Sequence, residues 1–181
     1  MKLKSRVFIG FSAAVLIITS AVNVRSDQQW FGGPEDVSFA EDLWQAMVEA
    51  KVVGVDAVKN EPYIGLHPHG AILETSIDTL TVNGVANALI AKRSYRGINV
   101  SVELVESDRA AFLEDITIMF KREAGYDSAN QDWFWAKYDA DGSLSETPNA
   151  VKLAGRIAKG KSKGCIACHR KAGGGDFLFI N

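Results

Sequence analysis

The stretch Cys165-Ile166-Ala167-Cys168-His169 organises the interpretation of this chain of 181 residues. Two cysteines separated by two residues and followed directly by a histidine form the pattern of c-type haem attachment, in which the thiols bond the vinyl groups and the imidazole binds iron. The chain has no other cysteine, so this attachment would leave no thiol for a disulfide. We therefore expect one covalent haem c on Cys165 and Cys168, with His169 as the proximal iron ligand.

Two other interpretations of this motif are weaker. A closed zinc site needs four ligands, and the remaining histidines, His67 and His69, lie about a hundred residues upstream. A thioredoxin-like redox pair would need a strand before it and a helix after it near the start of the chain, and the sequence offers neither. The haem interpretation also agrees with the amino terminus.

The first residues resemble an export signal. Lys2, Lys4 and Arg6 precede an apolar run of 16 residues from Val7 to Val22. A basic segment followed by such a run is typical of a secretory signal peptide, and a bilayer-spanning anchor would need about 20 apolar residues. We predict a signal peptide over residues 1–26, a haem domain over 27–181, a periplasmic location and no stable membrane insertion after processing. An uncleaved anchor is the weaker alternative.

The charge balance excludes one class of partner. The net charge is −2, and removing residues 1–26 would take away four basic residues and no acidic one, giving −6. A mildly acidic domain without a basic stripe is not suited to nucleic acid.

The predicted secondary structure is mixed. Phe39, Leu43, Met47 and Val48 recur at helical spacing after a capping-box pattern, which predicts a helix over 38–51. Runs rich in branched and aromatic residues predict five strands. These are residues 71–77, 88–95, 98–105, 115–121 and 132–138, with a short helix over 78–83 and another helix over 150–159. The fold class expected is α+β, mainly a five-stranded antiparallel sheet with flanking helices.

The sixth ligand of the iron is not evident. Beyond Lys171, the residues after His169 contain no Met, His or Lys, so this ligand would have to come from the body of the domain. Met47, Met119, His67 and His69 are available, and Met47 is better explained as core packing. We expect a five-coordinate iron that is open to a small molecule.

Further stretches of the chain resemble the cytochrome P-460 family, which includes the cytochromes c'-beta. The resemblance is most specific from Gly125-Tyr126-Asp127 to Asp132-Trp133-Phe134-Trp135. It also includes His69-Gly70-Ala71, Ala91-Lys92, Ile116-Thr117-Ile118-Met119, Ala136-Lys137-Tyr138, Gly164-Cys165-Ile166-Ala167-Cys168-His169 and Asp176-Phe177-Leu178-Phe179. The resemblance implies a homodimer of mainly antiparallel sheet with a haem bound by the final histidine.

Enzymatic members of that family oxidise hydroxylamine and carry a lysine bonded to the porphyrin. The resemblance makes Lys92 the cross-link candidate, although Arg93 follows it here where the family commonly has an acid. It also implies a carboxylate near the iron, for which Glu74, Glu103 and Asp115 are the candidates.

Three functions stay open on the sequence alone. The first is hydroxylamine oxidation with an unknown redox partner, and the second is nitric oxide binding for sensing or detoxification. Phe112 or Phe120 would then line the haem pocket, as aromatic side chains do in the cytochromes c'-beta. The third is electron transfer, with Met119 or His69 as a strong sixth ligand.

Overall fold

A computed structural model of the protein describes residues 29–179, so the predicted signal peptide lies outside the described residues. The chain forms an α+β fold around one antiparallel meander of six strands in the order β1-β2-β3-β4-β5-β6. The strands are β1 (Tyr63–Ile64), β2 (Ile72–Val82), β3 (Val85–Tyr95), β4 (Leu113–Lys121), β5 (Trp133–Asp139) and β6 (Ala154–Gly155). The helices are α1 (Pro34–Glu49), α2 (Val102–Ser107), α3 (Arg109–Phe112) and α4 (Cys165–His169), with a 3-10 turn at Ser128–Asn130. Over residues 29–179 no helix has the length and apolar character needed to cross a membrane.

One side of the sheet, here called the helix face, packs against α1. Helix α1 contributes Ala40, Leu43 and Met47, all fully buried, because their spacing places them on one side of the helix. Alternate residues of β3, β4 and β5 meet them, among them Leu89, Ile118 and Phe134. The structure thus assigns Met47 to this core.

The opposite side of the sheet, here called the motif face, is covered by the end of the chain. Its apolar centre is formed by Met119, Trp133 and Trp135, which pack with Ile166 of α4 and with Phe177. Trp133 and Trp135 share this face while Phe134 lies on the helix face, as the period of two in a strand predicts. The sheet therefore has two buried faces, and the motif belongs to one of them.

Four of the five predicted strands are confirmed, as β2, β3, β4 and β5. Strands β1 and β6 have only two residues each, too short for a hydrophobic pattern to reveal. The predicted helix over 78–83 is wrong, because β2 continues to Val82 and pairs with Val85 across a two-residue turn. Asn83 and Gly84 have φ angles of +51° and +80°, as an Asn-Gly hairpin turn requires.

The predicted strand over 98–105 is also wrong. Helix α2 forms there instead, and the Ser101 hydroxyl caps it by accepting from the Leu104 amide at 3.3 Å. Ile98 is almost fully exposed and Val105 is the residue that is buried. The branched residues of this stretch therefore do not form a strand, because the Ser101 cap begins a helix there.

The predicted helix over 150–159 does not form. The chain crosses beside β5 as the short strand β6, and Gly155 has a φ of +111°. A Cβ at Gly155 would meet the Asp36 carboxylate at 2.5–2.8 Å, so a close approach to α1 replaces the helix. Helix α1 itself begins at Pro34, four residues before the predicted start, because proline at the first position suits a helix N-terminus.

A buried ionic cluster closes one end of the helix face. Glu74 is fully buried and accepts from the Asn60 amide (2.8 Å), the Tyr95 hydroxyl (2.8 Å), Arg109 Nε (3.0 Å) and Arg93 Nη1. Burial raises the pKa of Glu74, but these hydrogen bonds and the charge of Arg93 outweigh it, so the pKa lies below the ordinary 4.5. Glu74 is therefore a structural carboxylate that is fully occupied by its donors.

Replacing Glu74 with Gln should destabilise the protein strongly. The substitution leaves the buried guanidinium of Arg93 without its counter-charge, which costs on the order of 3 kcal/mol. Urea denaturation at pH 7, followed by circular dichroism, measures the change in the free energy of unfolding.

Glu114→Gln is the matched control, because the ion pair of Glu114 with Arg96 is about half exposed and contributes at most about 1 kcal/mol. A group whose folded pKa is depressed stabilises the protein above its unfolded pKa, here near 4.5, and this stabilisation is lost as pH falls through the folded pKa. The difference between wild type and Glu74→Gln should therefore shrink below pH 4.5. Equal losses for the two variants at pH 7 would contradict this account.

Candidate haem site

Helix α4 brings the three motif side chains together in little more than one turn. Positions separated by three and four residues lie on one side of a helix, so Cys165, Cys168 and His169 are neighbours while Ile166 is buried against the sheet. Gly164 begins this turn with a φ of +108°, and a Cβ there would lie 2.5 Å from that of Ala158. The glycine therefore permits the close seating of α4.

Both cysteines are free thiols. Cys165 is partly buried and Cys168 is exposed, and burial raises the pKa of Cys165. Among residues 29–179 no three or more His, Cys, Asp or Glu side chains converge in a way that could hold a metal ion.

His169 is held in one tautomer by a backbone carbonyl. Its Nδ1 lies 2.7 Å from the carbonyl oxygen of Phe177, which can only accept, so Nδ1 carries the proton and donates. The other nitrogen, Nε2, then keeps its lone pair for a metal. This is the usual arrangement around a metal-binding histidine, in which the outer partner fixes both the ring orientation and the ligand basicity.

The segment that supplies this carbonyl, residues 173–178, is here called the C-terminal strap. Gly174 and Gly175 have φ angles of +82° and +80° and turn the chain back toward α4. Asp176 then anchors the strap to the sheet, since its carbonyl accepts from Trp133 Nε1 at 3.1 Å and its carboxylate pairs with Lys121 at 3.0 Å. The position of Phe177 is thus set by two residues of the motif face.

Three more rings surround His169. The ring centroids of Trp135, Phe179 and His69 lie 4.9, 5.3 and 6.2 Å from its own, all at steep angles. The sequence offered His69 only as one of several residues that could supply the sixth ligand of the iron. The structure places it at the site.

A row of polar side chains borders these rings on the motif face. Lys92, Thr117 and Lys137 are paired in register across β3, β4 and β5. Lys92 is half-buried, and burial lowers its pKa.

Asp115 lies two residues before Thr117 on the same face, is almost fully buried, and pairs with Lys137 at 2.9 Å. Of the three candidate carboxylates, Asp115 is the one on the motif face, because Glu74 lies on the helix face and Glu103 is exposed on α2.

The charge of Lys92 lowers the pKa of both His69 and His169. Burial, followed by the charges of Lys92 and His169, lowers the pKa of His69 to about 4. Burial also lowers the pKa of His169, the hydrogen bond to Phe177 raises it, and Lys92 adds to the lowering. Residues 69, 92 and 169, which are remote in sequence, therefore form one cluster.

Comparison with protein-family models, with curated proteins and with solved structures finds no match to this chain. The resemblance to the cytochrome P-460 family therefore stays a prediction. The function is accordingly inferred from the geometry of residues 29–179.

Two buried polar atoms on the motif face support a bound polar group there. Ser94 Oγ and Trp135 Nε1 have no hydrogen-bond partner among residues 29–179. Buried groups of this kind are rare in native proteins and commonly mark a place where another molecule completes the bonding. Ser94 pairs in register with Asp115, and Trp135 contacts His169, so both atoms border the site. The chain's residues therefore fit a haem with polar substituents.

The loop after β4 also reaches the motif. Asp127 accepts from Asn130 at 2.8 Å and pairs with Lys159 at 2.6 Å, and Arg170, directly after His169, donates to Asn130. This network gives the Gly125-Tyr126-Asp127 stretch a structural role in holding α4. Sequence reasoning missed Arg170 and Asn130, because nothing in their spacing indicates the contact.

Phe112 and Phe120 do not line the site. Phe120 lies on the helix face, and Phe112 packs with Ile72, Tyr95 and Val105 away from the motif. Both expectations came from the resemblance to the cytochromes c'-beta, in which aromatic side chains line the haem pocket. The alternation along β4 and the packing of α3 beside α2 decided otherwise.

Replacing Asp176 with Asn should loosen the C-terminal strap without unfolding the domain. The substitution removes the charge that pairs with Lys121, and an ion pair this exposed contributes at most about 1 kcal/mol to global stability. Hydrogen–deuterium exchange with mass spectrometry should show faster exchange confined to residues 173–178.

Glu146→Gln is the matched control, because Glu146 forms a comparable surface ion pair with Lys152 at 2.8 Å. It should leave exchange in the strap unchanged. Unaltered exchange in the Asp176→Asn strap would show that the ion pair does not position it.

Proposed function

We propose that this chain binds one haem c covalently through Cys165 and Cys168, with His169 Nε2 as the proximal ligand of the iron. The observation that supports this most is the hydrogen bond from His169 Nδ1 to the Phe177 carbonyl. It leaves Nε2 with a lone pair beside the two thiols of α4, as haem attachment requires. The unpartnered Ser94 and Trp135 atoms add polar groups for the haem's substituents.

We further propose that the site acts on small nitrogen compounds, and that its reaction is the oxidation of hydroxylamine. When bound, the haem would supply the one-electron chemistry, and oxidation of hydroxylamine to nitric oxide would release three protons and pass three electrons to an external redox partner. The support for this reaction is that Lys92 and Asp115, the cross-link candidate and a candidate carboxylate, both lie on the motif face. The spacing of these two residues in the sequence did not predict that they would lie on the same face.

Lys92 has an environment suited to covalent bonding. Burial lowers the pKa of its amine, which increases the fraction of the neutral, nucleophilic form. Lys92 also lies within electrostatic reach of His169. A bond from this amine to a porphyrin carbon would replace the hydrogen there, and an external oxidant would take up the two electrons released.

Asp115 has the position of a proton acceptor. Oxidation of hydroxylamine releases protons together with electrons, so a carboxylate beside the reacting molecule would assist it. Asp115 is held by Lys137 and lies within electrostatic reach of His69. These two neighbours fix the carboxylate near the site.

Nitric oxide binding is the second candidate function. Trp135 and Phe179 flank His169, and Met119 and Ile90 belong to the same apolar cluster. Apolar side chains of this kind suit a ligand that needs little hydrogen bonding. This function requires neither the Lys92 cross-link nor a carboxylate.

The cellular setting is part of the same proposal. Covalent haem attachment takes place outside the bacterial cytoplasm, which agrees with the export signal predicted in residues 1–26. A periplasmic homodimer of the cytochrome P-460 type is the form we propose.

Covalent haem attachment is the first expected result. The chain, exported in a bacterium that attaches haem, should be coloured and should gain the mass of one haem. The double variant Cys165→Ala/Cys168→Ala should carry no covalent haem, whereas the control variant His67→Ala should keep it, because His67 is exposed. A wild-type protein without haem would refute the proposal.

The role of Lys92 is decided by a matched pair of variants. We expect the reduced wild-type protein to show a red-shifted Soret band and to oxidise hydroxylamine. Lys92→Arg should lose both, because a guanidinium stays protonated and cannot form the bond. Lys152→Arg, at a surface ion pair, should change neither. An ordinary haem c spectrum with no turnover in wild type, together with nitric oxide binding, would favour the second function.

A further inference from the structure

The loop that carries His69 is fixed by its backbone. Between β1 and β2, Gly65 donates to Ala71 at 2.8 Å, His69 donates to Leu66 at 3.1 Å, and Arg96 Nη2 donates to the Pro68 carbonyl at 3.1 Å. A Cβ at Gly70 would lie 2.8 Å from the Tyr95 backbone, so the loop is pressed onto the end of β3. These contacts hold the loop in place, so His69 lies at a fixed position beside the motif face.

The distance between the His69 and His169 rings agrees with the distance expected for two histidines that bind one metal ion. A metal bound by two histidines on opposite sides has metal–nitrogen bonds of about 2 Å, and each nitrogen lies about 1 Å from its ring centre, so the ring centres are about 6 Å apart. The observed distance between the centroids of His69 and His169 is 6.2 Å, with the planes at 84°. The rings that merely pack on His169, those of Trp135 and Phe179, are closer, at 4.9 and 5.3 Å.

A distal residue that only hydrogen-bonds to an iron ligand would need a larger separation, because the ligand must fit between that residue and the iron. Lys92 lowers the pKa of both imidazoles and therefore lies within electrostatic reach of both. The two imidazoles would then hold the iron, with Lys92 nearby.

We propose that His69 is the sixth ligand of the iron and that it caps the site reversibly. The inference rests on the proposed haem attachment and adds a form of regulation to it. It differs from the sequence-based expectation of a five-coordinate iron. A small nitrogen compound would then have to displace the His69 side chain from the iron, while the loop of residues 65–70 keeps its backbone hydrogen bonds.

The test uses the purified holoprotein with intact haem. Ferric wild type should show the optical and electron paramagnetic resonance spectra of low-spin iron with two imidazole ligands. His69→Ala should become high-spin, and added imidazole should restore the low-spin spectrum. His67→Ala, the control two residues away, should stay low-spin.

Nitric oxide binding to the ferrous protein gives a second measurement. In wild type the rate should level off with increasing nitric oxide, because release of His69 limits it, whereas in His69→Ala it should rise linearly and exceed the wild-type rate at least tenfold.

Should His69→Ala fold poorly, His69→Gln keeps a polar side chain of similar size and should give the same spin change. A high-spin wild type, or a variant that stays low-spin without imidazole, would overturn the inference even if haem is attached. Absence of covalent haem would instead refute the proposed function.

Discussion

The structure depends on the alternation of side chains along β3, β4 and β5, which gives the sheet two buried faces. Leu89, Ile118 and Phe134 turn toward α1, and their immediate neighbours turn toward the end of the chain. A shift of one residue in register would exchange the two sets and place Lys92 and Lys137 in the core. The division between a structural face and a functional face is therefore a property of strand pairing.

Each face carries its own polar system. On the helix face Glu74 is enclosed by four donors and has no capacity left for chemistry. On the motif face Ser94 Oγ and Trp135 Nε1 lack partners within residues 29–179. Satisfied groups stabilise a fold, whereas unsatisfied ones cost free energy unless a ligand pairs with them. The Tyr126 hydroxyl, which packs against the helix-face core, also lacks a partner within residues 29–179, so the ligand is placed on the motif face because Trp135 contacts His169 there.

Two groups of residues organise the proposed haem site: those that hold His169 and α4 in place, and those that lie near the His169 ring. The C-terminal strap fixes His169 through Phe177, and the network of Asp127 and Asn130 holds Arg170 at the end of α4. The second group consists of His69, Lys92 and the Asp115–Lys137 pair. Such support from residues that never touch the ligand determines how rigidly an axial histidine is presented. If His69 caps the iron, the same arrangement also sets how readily a small molecule enters.

The sequence by itself determined the local features of this protein. The spacing of Cys165, Cys168 and His169, and the runs of branched and aromatic residues in four strands, depend only on neighbouring residues, so they could be predicted. The predictions over 78–83, 98–105 and 150–159 were wrong where an Asn-Gly turn, the Ser101 cap and the approach of Gly155 to Asp36 decided the backbone. Only the tertiary structure brought His69, Lys92 and Asp115 to His169, because strand register and loop packing join residues that no sequence spacing relates.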